Sequence, residues 1–167
     1  MGEPFATGGC DCGKVRYALT SAPIFTHCCH CSWCQRETGS AFAVNAMIET
    51  ARLEVQGAAP DLILTPSASG KGQKIARCPI CRVAVWSHYA TLDTKLAFVR
   101  AGTLDHPSRT PPDVHIFTST KQPWVILPAD AEAYPEFYAP TDRARMFGAE
   151  RMARREALIE EAKRETC

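Results

Sequence analysis

The stretch THCCHCSWCQRETGSAF, Thr26 to Phe42, places four cysteines and two histidines in its first nine residues. Packing alone does not ask for such density; closely spaced thiols hold a metal or do chemistry. If the segment enters extended, Cys29 and Cys31 share one face while Cys28 and His30 point to the other. Cys34 then returns through a C-x-x-C turn and joins the first pair. Three convergent thiolates with no obvious fourth describe an open, catalytic zinc. A fourth ligand from Cys28 or His27 would describe a closed, structural one, and spacing leaves both readings open.

The remaining cysteines sharpen the pattern. They occur as Cys10-x-Cys12 within GGCDCGK, as Cys78-x-x-Cys81, and as Cys167 alone at the end. Residues two apart on a strand point to the same face, and a C-x-x-C knuckle wraps two sulfurs around one ion. Together they predict one closed four-thiolate zinc site from Cys10, Cys12, Cys78 and Cys81, pinning an N-terminal hairpin to a later one. The glycines beside Cys10 and Cys12 let the backbone turn closely there. Cys167 reads as a free terminal thiol.

Working outward, short alternating segments punctuated by Gly and Pro fill the first three quarters of the chain. KVRYALT (14–20), AFAVNAMIE (41–49), RLEVQG (52–57), QKIARC (73–78), VAVWSHY (83–89), LAFVRAG (96–102), DVHIFT (113–118) and WVIL (124–127) read as strands. TPSASGKGQ (65–73) reads as a hairpin tip, and the chain's 12 prolines oppose long helices in this region. An antiparallel all-β domain is therefore expected over 1–138. The tail, 139–167, is expected to be a helical extension of it. From Thr141 it is rich in helix formers, with Thr141 as cap and Asp142 at the positive end of the dipole, and reads as a solvated helix.

Bulk properties exclude several functions. The chain has 167 residues, enough for one domain with a real core, and 46% of them are apolar. Nineteen basic residues against eighteen acidic ones leave a formal charge of +1, too little for a protein that neutralises many phosphates, so no nucleic acid is expected. MGEPFATGGC has neither a basic nor an apolar leader region, and no run is long enough to cross a bilayer, so no membrane is expected and a cytoplasmic location is. Nine cysteines in a reducing compartment point to metal ligands or catalytic thiols rather than disulfides.

Charge also narrows the chemistry of the central cluster. Three thiolates around Zn²⁺ leave about −1, a poor Lewis acid for activating water. A thiol bound as fourth ligand would instead lose its proton and keep much of its nucleophilicity. Among its neighbours, Arg36 can pair with a carboxylate and Gly39 and Ser40 can offer donors to a substrate. Trp33 is a candidate wall, and His30 a candidate proton relay. His115 and Trp124 read as core or rim residues.

The order GGCDCGKVRY, CHCSWCQRETGSAF, RCPIC, FVRAGTLD and HIFTSTKQPWV resembles the glutathione-dependent formaldehyde-activating enzyme family, which includes centromere protein V. The resemblance runs from about Gly8 to Pro128. It implies an antiparallel β-tent of short sheets around zinc knuckles, and two zincs per chain. Cys10, Cys12, Cys78 and Cys81 fall on its structural ligands, and Cys29, Cys31 and Cys34 on its catalytic site. The implied activity is that of a carbon–sulfur lyase, addition of glutathione to formaldehyde to give S-(hydroxymethyl)glutathione. The partner is then a small thiol, in a chain that can form homo-oligomers. The alternatives are a non-catalytic zinc-binding interaction module and a thiol redox protein of the methionine sulfoxide reductase kind. This chain departs from the family pattern twice, at Arg82, where a Gly usually follows the last knuckle cysteine, and at the additional Cys28.

Overall fold

The computed structural model describes residues 2–67 and 70–165, so the expectation for Cys167 and part of the 65–73 tip lie outside the described residues. Ten strands and two helices follow in order: β1 (Ala6–Gly9), β2 (Arg16–Leu19), β3 (Phe25–Cys29), α1 (Ser32–Thr38), β4 (Ala43–Glu49), β5 (Leu53–Val55), β6 (Asp61–Thr65), β7 (Gln73–Arg77), β8 (Ala84–Tyr89), β9 (Leu96–Arg100), β10 (Val114–Ile116) and α2 (Pro140–Glu165). They form a three-stranded sheet, β1-β2-β5, and a seven-stranded sheet, β10-β3-β4-β9-β8-β7-β6. The chain is thus mostly β with a C-terminal helix.

Strand β4 explains the layering. It lies between β3 and β9 and alternates two buried faces rather than one. Ala46 and Ile48 pack with Tyr17, Leu19 and Leu53 of the small sheet, while Met47 packs with Phe25, Tyr138, Phe147 and Leu158 on the other side. The large sheet is therefore covered by the small sheet on one face and by the C-terminal segment on the other. Tyr17 meets Trp86 edge-on at 5.7 Å between the two sheets. Phe25 stacks on Phe147 at 4.1 Å beneath α2. Such aromatic pairs add about 0.5–1.5 kcal/mol to the burial of the rings themselves.

Four expectations are corrected. WVIL is not a strand: Trp124 and Ile126 are 72% and 91% exposed, in the irregular segment between β10 and α2. β10 pairs parallel to β3, the one exception to antiparallel pairing among the named strands, because a long crossover returns the chain to the outer edge of β3. A helix, α1, begins directly after Cys31, where a simple knuckle turn was expected. Finally, the tail helix starts at Pro140 rather than with Thr141 as its cap, and it breaks at Gly148, whose φ of 69° and ψ of 171° no helix accommodates. Pro suits such a start because its missing N–H would be unpaired there anyway.

The tail is also more than a solvated face. Phe147 and Leu158 are buried, and Arg154 forks onto both Glu49 carboxylate oxygens at 2.9 and 2.6 Å while donating to the Ala22 carbonyl. These contacts hold α2 against the end of β4.

Candidate metal centres

Two loops bring the first four sulfurs together. Cys10 and Cys12 follow β1, where Gly13 takes a φ of 73° to close the turn. Cys78 and Cys81 follow β7, where Arg82 takes the left-handed conformation (φ 63°) that Gly ordinarily supplies. The departure noted in the sequence is thus met by a strained backbone at Arg82 itself. Cys10, Cys12, Cys78 and Cys81 all place their sulfurs within 4.8 Å of one another. Cys10–Cys12 and Cys12–Cys78 are separated by 3.5 and 3.6 Å, close to the edge of about 3.8 Å in a tetrahedron of 2.3 Å Zn–S bonds.

The surrounding backbone favours thiolates. Val15 N–H donates to Cys10 Sγ at 3.3 Å, and Ile80 N–H to Cys78 Sγ at 3.4 Å. Burial opposes ionisation of Cys78, yet N–H groups of Cys81 and Ile80, followed by the Cys10 and Cys12 thiols, bring it down to about 6. Donor chemistry and spacing therefore both fit a closed zinc site.

The second centre is built at the junction of β3 and α1. Cys29 ends β3, Cys31 caps the N-terminus of α1 by accepting from Cys34 N–H at 3.3 Å, and Cys34 sits one turn in. Their three sulfurs converge within 4.8 Å, with no further Cys, His, Asp or Glu in the group among the described residues. Of the three, Cys31 is the thiol whose ionised form the local hydrogen bonds favour. Hydrogen bonds from the Cys29 and Cys34 thiols, then from the N–H groups of Cys34 and Trp33, pull it down to about 2. The same contacts raise the other two, Cys29 first through Cys31 and Cys34 first through Cys29. Three convergent sulfurs are a donor set that a borderline-soft cation such as zinc accepts.

Residues far along the chain complete this environment, and sequence reading missed them. Arg100 is buried, yet none of the ion pairs among the described residues involves it. Its guanidinium donates to Asn45 Oδ1 at 2.5 Å and to Ser87 Oγ at 3.2 Å, and its Nε has no partner among the described residues. The cross-strand pairs Cys29–Ala43 and Asn45–Arg100 put Arg100 on the Cys29 face of the large sheet. Tyr89 stands close enough to feel both charges: burial raises its hydroxyl, as do Cys34, Cys29 and Cys31, and Arg100 opposes them. A buried guanidinium on the Cys29 face, with no carboxylate partner among the described residues, has a charge of the sign that would offset clustered thiolates.

Cys28 points the other way. Its sulfur lies 3.6 Å from His30 Nε2, which lies 3.0 Å from His115 Nδ1. Burial, with help from His115 and Lys121, lowers His30 to about 4. His27, the other residue weighed as a fourth ligand, instead hydrogen-bonds Tyr138 at 2.8 Å inside an aromatic cluster.

The remaining candidates separate. Gly39 and Ser40 line a groove with Gln35, Phe42, Gln122 and Trp124, whereas Arg36 is exposed on α1 outside that lining. Gln35 ties the groove to the centre, donating to the carbonyls of His30 and Thr120 while accepting from Gln122. Trp33 is half-buried, and its buried indole N–H has no partner among the described residues.

Known proteins supply a further finding. The family model for the glutathione-dependent formaldehyde-activating enzyme matches residues 5–120. No curated protein matches the chain. Among solved structures, the crystal structure of a Rhodobacter sphaeroides protein is similar over 59% of this chain and 87% of that one, with 23% identity and a TM-score of 0.45. Among the described residues, no helix is long and apolar enough to cross a membrane.

Proposed function

The chain belongs to the glutathione-dependent formaldehyde-activating enzyme family, and on that premise we propose a zinc-dependent carbon–sulfur lyase-type enzyme that adds a thiol such as glutathione to formaldehyde or a related small electrophile. The carrying observation is the convergence of Cys29, Cys31 and Cys34 with Cys28 turned away. Three sulfurs without a fourth protein ligand leave a coordination position for substrate.

In this reading Cys10, Cys12, Cys78 and Cys81 hold one scaffold zinc, and Cys29, Cys31 and Cys34 hold a second, more labile one. When bound, the second ion supplies an open position at which a thiol is acidified. Arg100 offsets the negative charge that three protein sulfurs and an incoming thiolate bring together. The groove of Gln35, Gly39, Ser40 and Gln122 offers amide and hydroxyl partners suited to a peptide-like thiol, and Trp124 gives it an apolar wall. Arg36, exposed on α1 next to Gln35 of that lining, would be the cation for a carboxylate of that thiol. The unpaired Trp33 indole N–H is a donor for a polar atom entering the centre. In the addition, the sulfur–carbon bond forms as the carbonyl π bond breaks, and the proton lost from the thiol ends on the new hydroxyl, so the reaction balances without a redox partner.

An interaction module with two closed centres would need Cys28 or His27 in the second centre, and Cys28 lies against His30 while His27 bonds Tyr138. Replacing Cys31 with Ser tests the catalytic reading. The variant should keep the fold and the four-thiolate zinc, lose about one metal ion, and lose turnover of glutathione with formaldehyde. Full activity in the folded variant overturns the assignment.

A further inference from the structure

The far face of β3 carries a second set of metal-type donors that the proposed reaction does not use. In the parallel pairing of β3 with β10, His115 stands opposite Cys28, so their side chains share a face. His30 follows Cys28 by two residues and returns to that same face, held by its N–H to the Ile116 carbonyl at 3.0 Å. Cys28 Sγ, His30 Nε2 and His115 Nδ1 lie within 4.8 Å of one another. Cys28 and His30 are buried and His115 is half-buried.

Hydrogen bonding does not account well for this arrangement. A ring nitrogen carries either one proton or one lone pair, so it makes one directional bond. His30 Nε2 nonetheless faces both the Cys28 sulfur at 3.6 Å and His115 Nδ1 at 3.0 Å. A single cation between the three atoms satisfies all of them at once. Bond lengths of 2.3 Å to sulfur and about 2.05 Å to nitrogen give tetrahedral edges of about 3.6 Å for S···N and about 3.3 Å for N···N. The observed S···N separation of 3.6 Å equals its edge, and the observed N···N separation of 3.0 Å lies about 0.3 Å inside its edge.

We propose that Cys28, His30 and His115 form a third metal site, distinct from both cysteine centres, that takes one borderline-soft cation such as Zn²⁺ or a copper ion. One thiolate with two imidazoles is a donor set that both ions accept. The ion staples β10 to β3 across a parallel pairing that is only three residues long. His115 is the one ligand of the three that is not fully buried, so the ion would exchange with solvent on that side. The extra cysteine of the sequence thereby acquires a role that leaves the three-thiolate centre open.

The test compares metal content of the full chain with that of His115→Gln and Cys28→Ser after reconstitution with excess zinc under anaerobic, reducing conditions. Each variant should hold one equivalent less than wild type, and the same difference should appear in a Cys31→Ser background, which separates this site from the proposed catalytic one. Equal zinc content in wild type and His115→Gln overturns the proposal. Cobalt titration of wild type decides independently of how the variants fold. A component with the weak sulfur charge-transfer band of a one-thiolate centre is expected, and only sulfur-rich components overturn the site. Copper titration then distinguishes the ions: an intense thiolate-to-copper band lost in Cys28→Ser assigns copper, and its absence with zinc bound assigns zinc.

Discussion

Cys28 and Cys29 are adjacent in the chain yet their sulfurs serve opposite sides of β3. Cys29 converges with Cys31 and Cys34 at the start of α1, and Cys28 meets His30 opposite His115 of β10. The pleat alone enforces this division, and the proposed chemistry depends on it, because it withholds the fourth sulfur from the three-thiolate centre.

The closed centre should carry the fold. Cys10 and Cys78 are both buried in the core between the two sheets. Cys78→Ser removes one ligand and leaves three sulfurs there, and structural zinc sites contribute about 10 kcal/mol or more of folding free energy. The variant should lose its cooperative thermal transition and its tightly held zinc together. A chelator should strip the three-thiolate centre first and leave the melting transition largely in place.

Arg100 should tune the open centre. Residues that support metal ligands from behind typically cost 10–100-fold in affinity when removed. Arg100→Met should weaken zinc binding by that factor at the three-thiolate centre alone, measured by competition with a chromophoric chelator. Arg100→Lys, which keeps the charge, should recover part of it. Equal losses in both variants would assign Arg100 a packing role only.

Much of this was legible in advance for a simple reason. Local periodicity binds Cys29, Cys31 and Cys34 into one set and sends Cys28 and His30 to another, and C-x-C with C-x-x-C spacing pairs the four knuckle sulfurs. What escaped reading travels across the sheet. His115 reaches Cys28 through a parallel pairing, and Arg100 reaches the Cys29 face through β4, so neither separation carries a local signal. WVIL failed for a different cause: a short apolar run reads as a strand even when its side chains face solvent.

His88 should make stability fall on the acid side. Trp86 indole N–H donates to His88 Nε2 at 3.1 Å, so Nδ1 carries the proton and donates to the Leu96 carbonyl at 2.9 Å. Burial lowers the folded pKa below the ordinary value of 6.5. Below about pH 6.5 the unfolded chain therefore binds the proton that the folded chain refuses, and stability drops as pH falls. The melting-temperature advantage of wild type over His88→Gln should shrink between about pH 7.5 and about pH 5.5, the range that brackets a free imidazole. An advantage that grows on acidification contradicts the assignment.

Arg82→Gly should stabilise the protein. A left-handed non-glycine residue costs about 1 kcal/mol, whereas the Arg82–Asp61 ion pair is solvent-exposed on both sides and contributes less than that. Thermal melting should rise by about 1–2 °C, the shift that roughly 0.5 kcal/mol produces in a chain of this size. Unchanged zinc content should accompany it, and a clear fall in melting temperature would mean that the ion pair dominates.

We propose that the tail, 139–167, folds as part of the same unit as the sheets. Phe147→Ala should then cost about 3–5 kcal/mol through the cavity left against Phe25, and chain truncated after residue 138 should melt lower still. Independent melting of tail and sheets would contradict this.

The central claim is that Cys29, Cys31 and Cys34 leave a metal position for a thiol. Cobalt-substituted protein titrated with glutathione tests it most directly, followed through the sulfur-to-cobalt charge-transfer band. The account predicts a saturable increase to four-sulfur intensity that is absent in Cys31→Ser. A spectrum that glutathione leaves unchanged, with cobalt bound at that centre, would contradict it.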